Sequence, residues 1–294
     1  MRGITTIHSI TIHAALLYAR ALLKQSRIES YVLDSRLLLT YVTDFSYEVI
    51  AGTPERCLDI AQFESYKQLV ERRANREPIA HILNRREFWG LDFYVTKDTL
   101  DPRPDSETLV EAALRYFPDK TKPLRILDLG TGTGCLLLAL LTEYKNAAGT
   151  GIDISLGALE VAKRNALHLG LAQRTEFILQ YWGTGLTGNY DLIISNPPYI
   201  EEGVIPTLEP EVAQYEPHLA LSGGVDGLDC YRALIPDIAT LLADNGIAVI
   251  EFGKGQEHYV TEILATHYLR VVGYGQDLAA TVRCVIATHE NKDS

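Results

Sequence analysis

The sequence predicts an α/β protein: a doubly wound parallel sheet preceded by a small helical region. Three observations carry this. From residue 124 onward, short β-prone runs alternate with helical stretches, the pattern a parallel sheet requires. Ile126-Leu127-Asp128-Leu129 leads into Gly130-Thr131-Gly132-Thr133-Gly134 and then the apolar run Cys135 to Leu141, which reads as strand, glycine loop and helix. Leu192-Ile193-Ile194 and Ser195 lead into Asn196-Pro197-Pro198-Tyr199. Prolines lack the N–H that a sheet needs, so the strand must end there and the chain must turn out. At 294 residues, the chain can hold one large domain and one small one.

Residues 1 to about 78 read as helical. Apolar residues recur at helical spacing from Ile12 through Leu22-Leu23. Ser30 can cap a second helix carrying Val32, Leu33, Leu37 and Leu38. Thr53-Pro54 reads as a cap and first-turn proline, opening a longer helix to about Asn75 that Pro78 closes. With no glycine loop or acid pair, this part is expected to bind rather than catalyse. His8, His13 and His81 are expected as surface or capping residues, not ligands. Residues 79–105 turn aromatic and β-prone around Phe88-Trp89-Gly90-Leu91, which predicts a hairpin linking the two parts. Arg72, Arg73, Arg76, Arg85 and Arg86, interleaved with Glu71, Glu77 and Glu87, read as a solvated face, with a docking surface as the minority reading.

In the large domain, strands are expected at 124–129, 149–153, 175–179, 190–195 and 246–252. A helix from Ser155 to Leu169 has Ser155 as its cap and Gly170 as its stop. Two final strands, about 270–276 and 281–288, have no helical stretch between them. They should form a hairpin that adds an antiparallel pair to the sheet edge. No internal repeat or low-complexity segment stands out.

The net charge is −11, a poor match for a protein that binds free nucleic acid. A locally basic partner protein suits it better. Cys57, Cys135, Cys230 and Cys284 are scattered without a C-x-x-C pair. That argues against a zinc site or disulfide framework, and each is expected as a small buried apolar residue in a reducing compartment. No apolar run approaches the roughly 18 residues of a membrane span. Arg20 and Lys24 interrupt the first apolar stretch, unlike a signal peptide. A cytoplasmic enzyme with no membrane and no metal is expected.

The glycine loop lets a ligand approach the backbone, and the helix after it offers N–H groups and a positive dipole end. The spacing is Gly-x-Gly-x-Gly, not that of dinucleotide enzymes, and no Lys follows as in a P-loop. A second strand ends at Asp153, where an acid typically takes both ribose hydroxyls. The ligand that fits is a nucleoside carrying an amino-acid carboxylate, such as S-adenosyl-L-methionine. Asn196, a proline carbonyl and Tyr199 then lie within four residues at a strand tip. Together they can accept both N–H bonds of a planar NH2 group and stack on its face. A plain strand-ending turn is the competing reading of this tetrapeptide alone.

Along almost its whole length the chain resembles the release factor glutamine methyltransferases, the HemK/PrmC family. The matching stretches are Pro78 to Leu83 with Glu87-Phe88, Pro102-Arg103-Pro104-Asp105-Ser106-Glu107, and the glycine loop at 128–134. Further matches are Asp153-Ile154-Ser155, Ser195 to Ile200, Tyr215-Glu216-Pro217 with Ala220-Leu221, Asp226 to Asp229, and Glu251-Phe252-Gly253 with Gln256. The resemblance implies an N-terminal helical domain over 1–78 that binds release factors, a β-hairpin linker over 79–105, and a seven-stranded Rossmann-like S-adenosylmethionine methyltransferase domain over 106–294. It implies methyl transfer to the side-chain amide nitrogen, N5, of the glutamine in the Gly-Gly-Gln motif of peptide chain release factors. By position, Gly130, Thr131, Gly132, Thr133 and Gly134 would cradle the methionine moiety, Asp153 the ribose, and Trp182 would lie against the cofactor, with Asn196 next to it. Asn196, Pro197, Pro198 and Tyr199 would bind the glutamine, and Leu100 and Arg103 would line the approach. Asn196, Pro197 and Tyr199 would carry the catalysis.

Four places depart from the family pattern. Tyr181 stands where an Asp usually precedes the Trp, Asp101 replaces an apolar residue, and Ser106 replaces Thr. Asp277 to Arg283 lacks the usual Gly-Arg-Asp before its final Arg. Two other functions remain open on the sequence. An adenine-N6 nucleic-acid methyltransferase uses the same Asn-Pro-Pro-Tyr chemistry on a flipped base, but the acidic charge and the lack of a basic recognition domain oppose it. A non-catalytic adaptor that binds S-adenosylmethionine or a release factor is opposed by the intact glycine loop, Asp153 and Asn196.

Overall fold

In the computed structural model, which describes residues 10–290, the chain divides between Asn84 and Arg85 into two units with separate cores. The first unit runs β1 (Ile10–Thr11), α1 (Ile12–Gln25), α2 (Tyr31–Thr43), α3 (Tyr47–Gly52), β2 (Cys57–Leu58), α4 (Ile60–Ala74) and α5 (Ile79–Leu83). Thr11 caps α1 by accepting the Ala14 N–H at 3.2 Å. Ile12, Ala15, Leu16, Ala19 and Leu23 form the buried stripe of α1, and they share a core with Leu38 and Leu39 of α2 and Tyr66 and Val70 of α4. Ser30 stands at the N-cap of α2, yet its hydroxyl bonds to Asp34 at 2.8 Å and not to a backbone N–H.

Several local expectations fail in this unit. Thr53 ends α3 and does not open a long helix. The long helix starts at Ile60, where Asp59 and Gln62 cap each other reciprocally, a stronger start than Thr53-Pro54 provides. Pro78 opens the short α5. Arg73 is no solvated residue: it is buried with its Nε 2.7 Å from Asp34. His13 is exposed, His81 is buried in α5, and His8 lies outside the described residues. Cys57 is exposed and, in the second unit, Cys135 and Cys230 are half-buried, contrary to the expectation of burial that Cys284 meets.

The second unit begins with a hairpin of β3 (Arg86–Phe88) and β4 (Leu91–Phe93). Its turn needs positive φ at Trp89 and Gly90, and it delivers Phe88 and Phe93 to the core. There follow α6 (Glu107–Tyr116), β5 (Arg125–Leu129), α7 (Cys135–Glu143), β6 (Ala148–Asp153), α8 (Leu156–His168), β7 (Thr175–Leu179), β8 (Tyr190–Ser195), α9 (Pro210–Tyr215), α10 (Asp229–Leu241), β9 (Leu242–Glu251), α11 (Glu257–Thr266), β10 (Leu269–Gln276) and β11 (Val282–His289). They form the expected Rossmann-like seven-stranded sheet, in the order β10-β11-β9-β8-β5-β6-β7. The five strands from β9 to β7 pair in parallel, and β11 and β10 close the opposite edge antiparallel. β9 starts at Leu242, four residues earlier than its apolar run suggests. No helix bridges β7 and β8.

This topology positions the site. The chain winds from β5 through β6 to β7, then returns to place β8 on the other side of β5. The tips of β5 and β8 therefore sit side by side at the switch point, where open α/β sheets bind ligands. Leu127 and Asp128 pair with Ile193 and Ile194. The Ser195 hydroxyl locks the two tips by donating to the Leu129 carbonyl at 2.6 Å. Among the described residues, no helix is long and apolar enough to cross a membrane.

Candidate active site

A cleft of about 290 Å³ opens at the joined tips of β5 and β8. Gly130, Thr131, Gly132, Thr133, Asp153 and Trp182 line it, as do Asn196, Pro198, Leu100 and Arg103. Gly134, Pro197 and Tyr199 are not among its lining residues. Gly134 starts α7 with φ +79°, and a Cβ there would lie 3.3 Å from the Ala162 Cβ, so it serves the packing of α7 on α8. Pro197 is buried and Tyr199 half-buried.

The glycine loop is held open by its own strand neighbours. The N–H groups of Gly130 and Thr131 both donate to the Ile152 carbonyl, at 2.9 and 2.8 Å. The Gly132 N–H donates to Asp153 Oδ2 at 2.9 Å, and the Ser155 N–H to Asp153 Oδ1 at 2.9 Å. Each carboxylate oxygen has two lone pairs, so both retain an acceptor for a sugar hydroxyl. Burial pushes the Asp153 carboxyl above its usual range, and these backbone N–H bonds oppose the shift. Behind the loop, Asp128 is fully buried and takes the Thr131 hydroxyl at 2.6 Å. Burial, and then the Asp153 charge, push it up to about 7.

Residues 180–189, the stretch without a helix, bring Trp182 to the loop. A Cβ on Gly130 would lie 3.3 Å from its ring. The Trp182 indole N–H is buried without an acceptor. Tyr181 is exposed, with its ring centroid 5.9 Å from that of Trp182. A cradle whose three glycines all take positive φ, an acid with spare acceptors and a half-buried indole fit a nucleoside with an amino-acid tail.

Asn196 stands at the opposite wall. Its Nδ2 donates to Ser106 Oγ at 3.0 Å. Tyr199 turns its hydroxyl toward Glu251 Oε1 at 3.4 Å, while Gln256 donates to the Tyr199 carbonyl at 3.0 Å and fixes the backbone there. Arg103 is held by Glu216, 3.2 Å away, and Glu216 also accepts the Asp101 N–H. Burial pushes Glu216 up to about 7 against the opposing pull of Arg103.

Four residues that support this site were not assigned a role from the sequence. Ser106 meets Asn196, Glu251 meets Tyr199, and Glu216 meets Arg103. Asn165 on α8 accepts the Tyr94 N–H at 2.7 Å and donates to the Thr133 carbonyl at 2.9 Å, tying the segment after β4 to the glycine loop. Glu251 carries a local signal: it is the lone acid ending the apolar strand Ile247 to Ile250.

Comparison with known proteins agrees with this geometry. A family model of the PrmC N-terminal domain matches residues 14–83, and one of a methyltransferase domain matches residues 120–262. The release factor glutamine methyltransferase of Rhodospirillum rubrum is 44% identical over 265 residues, which cover 90% of this chain and 81% of that protein. That of Caulobacter vibrioides is 39% identical over 287 residues, covering 97% of this chain and 99% of that protein. The solved hMettl16 catalytic domain in complex with MAT2A 3'UTR hairpin 6 matches with a TM-score of 0.55 at 16% identity, over 81% of this chain and 86% of that one, a likeness of fold alone. Similarity at this level over nearly whole lengths, on a sheet whose switch point carries the glycine loop and Asn196, places the chain in the release factor glutamine methyltransferase family, as an S-adenosyl-L-methionine-dependent methyltransferase.

Proposed function

We propose that this enzyme methylates the side-chain amide nitrogen, N5, of the glutamine in the Gly-Gly-Gln motif of peptide chain release factors. The observation that supports it best is Asn196: it lines the cleft at the tip of β8 while its NH2 group is already engaged by Ser106. Its oxygen is then the end left to accept an N–H. When bound, S-adenosylmethionine supplies a methyl group made electrophilic by its sulfonium. Gly130 to Gly134 would hold the amino-acid tail, Asp153 the ribose, and Trp182 the base side.

An amide nitrogen is a poor nucleophile because its lone pair is shared with the carbonyl. Accepting its two N–H groups, on Asn196 Oδ1 and the Pro197 carbonyl, pushes electron density back onto nitrogen. Tyr199 would stack on one amide face and Pro198 would border the other side of the pocket. Leu100 and Arg103, anchored through Glu216, would line the approach. Positioning of this kind contributes roughly 7–11 kcal/mol to a barrier, and acceptor dipoles aimed at the developing positive charge add to it. No strong base is needed, since the methylated amide is acidic enough to lose its proton to water.

The first unit, within which the PrmC N-terminal model matches, would bind the release factor, with the hairpin after it as the linker. Four free cysteines suit a cytoplasmic enzyme, without membrane or free nucleic acid as partner. Mass spectrometry of a release factor incubated with enzyme and S-adenosylmethionine tests the reading. One added methyl, about 14 Da, on the Gly-Gly-Gln glutamine is expected. Methylation of adenine in DNA or RNA, with the release factor untouched, would overturn it.

A further inference from the structure

A loop rich in glycine needs its neighbours to hold its shape, because glycine has the most conformational freedom to lose. Gly130, Gly132 and Gly134 all take positive φ. The first half of the loop is fixed by β6: Gly130 and Thr131 donate to the Ile152 carbonyl, and Gly132 to Asp153. The Thr133 end is fixed from α8 instead. Asn165 donates an amide hydrogen to the Thr133 carbonyl at 2.9 Å. The next N–H, that of Gly134, closes the turn onto the Thr131 carbonyl at 2.7 Å. The peptide unit joining Thr133 to Gly134 is therefore pinned at both its ends.

Asn165 is fully buried and uses its whole amide. Its oxygen accepts the Tyr94 N–H at 2.7 Å, and its nitrogen donates to the Tyr94 carbonyl at 2.9 Å as well as to Thr133. All these partners are backbone atoms, so the arrangement depends on no rotatable hydrogen. This orientation matches a donor to an acceptor at each contact. The reverse would set NH2 against N–H and oxygen against both carbonyls. Tyr94 is itself well held. It follows β4 directly, between the buried Phe93 and Val95, and the Arg164 guanidinium lies over its ring, 3.4 Å from the centroid. The strap that starts there packs on α8, where a Cβ on Gly157 would come 3.0 Å from the Asp98 Cβ. It then lines the cleft with Asp98, Thr99 and Leu100, whereas Asn165 lies outside the lining.

We infer that Asn165 is a positioning residue for cofactor binding, which fastens the Thr133 end of the glycine loop to the strap after β4 and sets the cradle's shape before S-adenosylmethionine enters. This rests on the reading of the glycine loop as the cofactor's cradle. Asn165 acts through Thr133, from outside the cleft. A cradle that holds its shape for only part of the time binds more weakly in proportion to that part. Once in place, the cofactor supplies the missing restraint, so the loss falls on affinity and not on turnover. A residue that only stabilised α8 would behave differently. Without it the chain would unfold sooner, and the folded fraction would bind as before.

The test uses the full-length enzyme with Asn165→Ser, Asn165→Leu, Val161→Ala and Gly132→Leu. Leucine fills the site but leaves the Tyr94 and Thr133 backbone groups unpaired, which opposes folding. Serine is smaller and leaves room for water to pair them, so Asn165→Ser keeps the test open if Asn165→Leu does not fold. Val161 is buried one turn before Asn165 on α8, and Val161→Ala loosens the helix without removing the tie. Calorimetry on the folded proteins reads the S-adenosylmethionine Kd. It should rise about tenfold in Asn165→Ser, and at least as much in a folded Asn165→Leu, as for a cradle correctly shaped about a tenth of the time. With cofactor and release factor both saturating, kcat should stay within about threefold of wild type. Val161→Ala should lower the urea midpoint and leave Kd within about twofold. A wild-type Kd in Asn165→Ser, or an equal rise in Val161→Ala, would overturn the inference. Failure of the underlying reading has a different signature: Gly132→Leu, whose side chain would start into open space beside the loop, would bind S-adenosylmethionine with the wild-type Kd.

Discussion

The Asp153 carboxylate accepts the Gly132 N–H at 2.9 Å, so the acid at the tip of β6 also shapes the glycine loop after β5. Its other oxygen holds the Ser155 N–H at the start of α8. Asp153→Ala should therefore weaken S-adenosylmethionine binding about tenfold or more, as loss of charge-assisted hydrogen bonds implies, without unfolding the chain. Asp153→Asn should be nearly as damaging despite its shape, since one end of the amide must face an N–H with its own donor. Calorimetry of cofactor binding decides this. An unchanged Kd in Asp153→Ala would reduce Asp153 to a capping residue of α8.

In the first unit, stability should depend on one buried ion pair. Asp34 takes the Arg73 Nε at 2.7 Å and the Ser30 hydroxyl at 2.8 Å, and both charged residues are buried. Removing one partner leaves the other charge in the core, which typically costs about 3–5 kcal/mol. Asp34→Ala should lower the urea midpoint of the transition that reports this unit. A double replacement of Asp34 and Arg73 by apolar residues of similar volume should recover much of the loss. A single replacement with no effect on the midpoint would show that the pair contributes nothing.

Much of this architecture was legible because it is written locally. Gly130 to Gly134, Asp153 and Asn196 each sit where a strand must end, and strand tips are fixed by apolar runs and their breakers. The edge hairpin of β10 and β11 was legible from the missing helix between two β-prone runs. What failed was decided by distance or by competition. Thr53-Pro54 has helix-start chemistry, but Asp59 and Gln62 form a better cap six residues on. Arg73 sits in a run of charges that looks solvated, and only folding brings it to Asp34, 39 residues away. Ser106, Glu216 and Asn165 reach the site across 32 residues or more, which no local pattern records.

Three buried carboxyls set the pH dependence of stability. Burial pushes Asp128, Glu216 and Glu251 up to about 7 from ordinary values of 3.8, 4.5 and 4.5. In the unfolded chain these groups lose their protons near pH 4, while the folded chain keeps them until about 7. Between those values the folded state binds more protons, so stability falls as pH rises and levels off above the folded pKa values. The net charge of −11 adds self-repulsion in the same direction. The urea midpoint should be higher at pH 5.5 than at pH 8, and the difference should shrink in Glu251→Gln. A midpoint that climbs over this interval would show that these carboxyls are not held protonated by burial.

Asn196→Ala should abolish methyl transfer while cofactor binding survives at least in part. The side chain lines the cleft, but the glycine loop and Asp153 that would hold the cofactor are built from β5 and β6 and keep their own hydrogen bonds. Alanine cannot accept a substrate N–H, and it leaves Ser106 Oγ without the donor now 3.0 Å away. Removing one preorganised polar partner commonly costs about a hundredfold or more in turnover. Asn196→Asp is the sharper variant. It keeps an acceptor toward the cleft but loses the N–H that Ser106 receives, and it adds a charge near buried Glu251. If accepting the amide N–H is the dominant role, Asp should retain more activity than Ala, with a fall from wild type that reflects the broken bond to Ser106. Single-turnover methyl transfer with saturating S-adenosylmethionine separates these outcomes from weakened binding. Near-wild-type transfer in Asn196→Ala would place the amide-binding group elsewhere in the cleft.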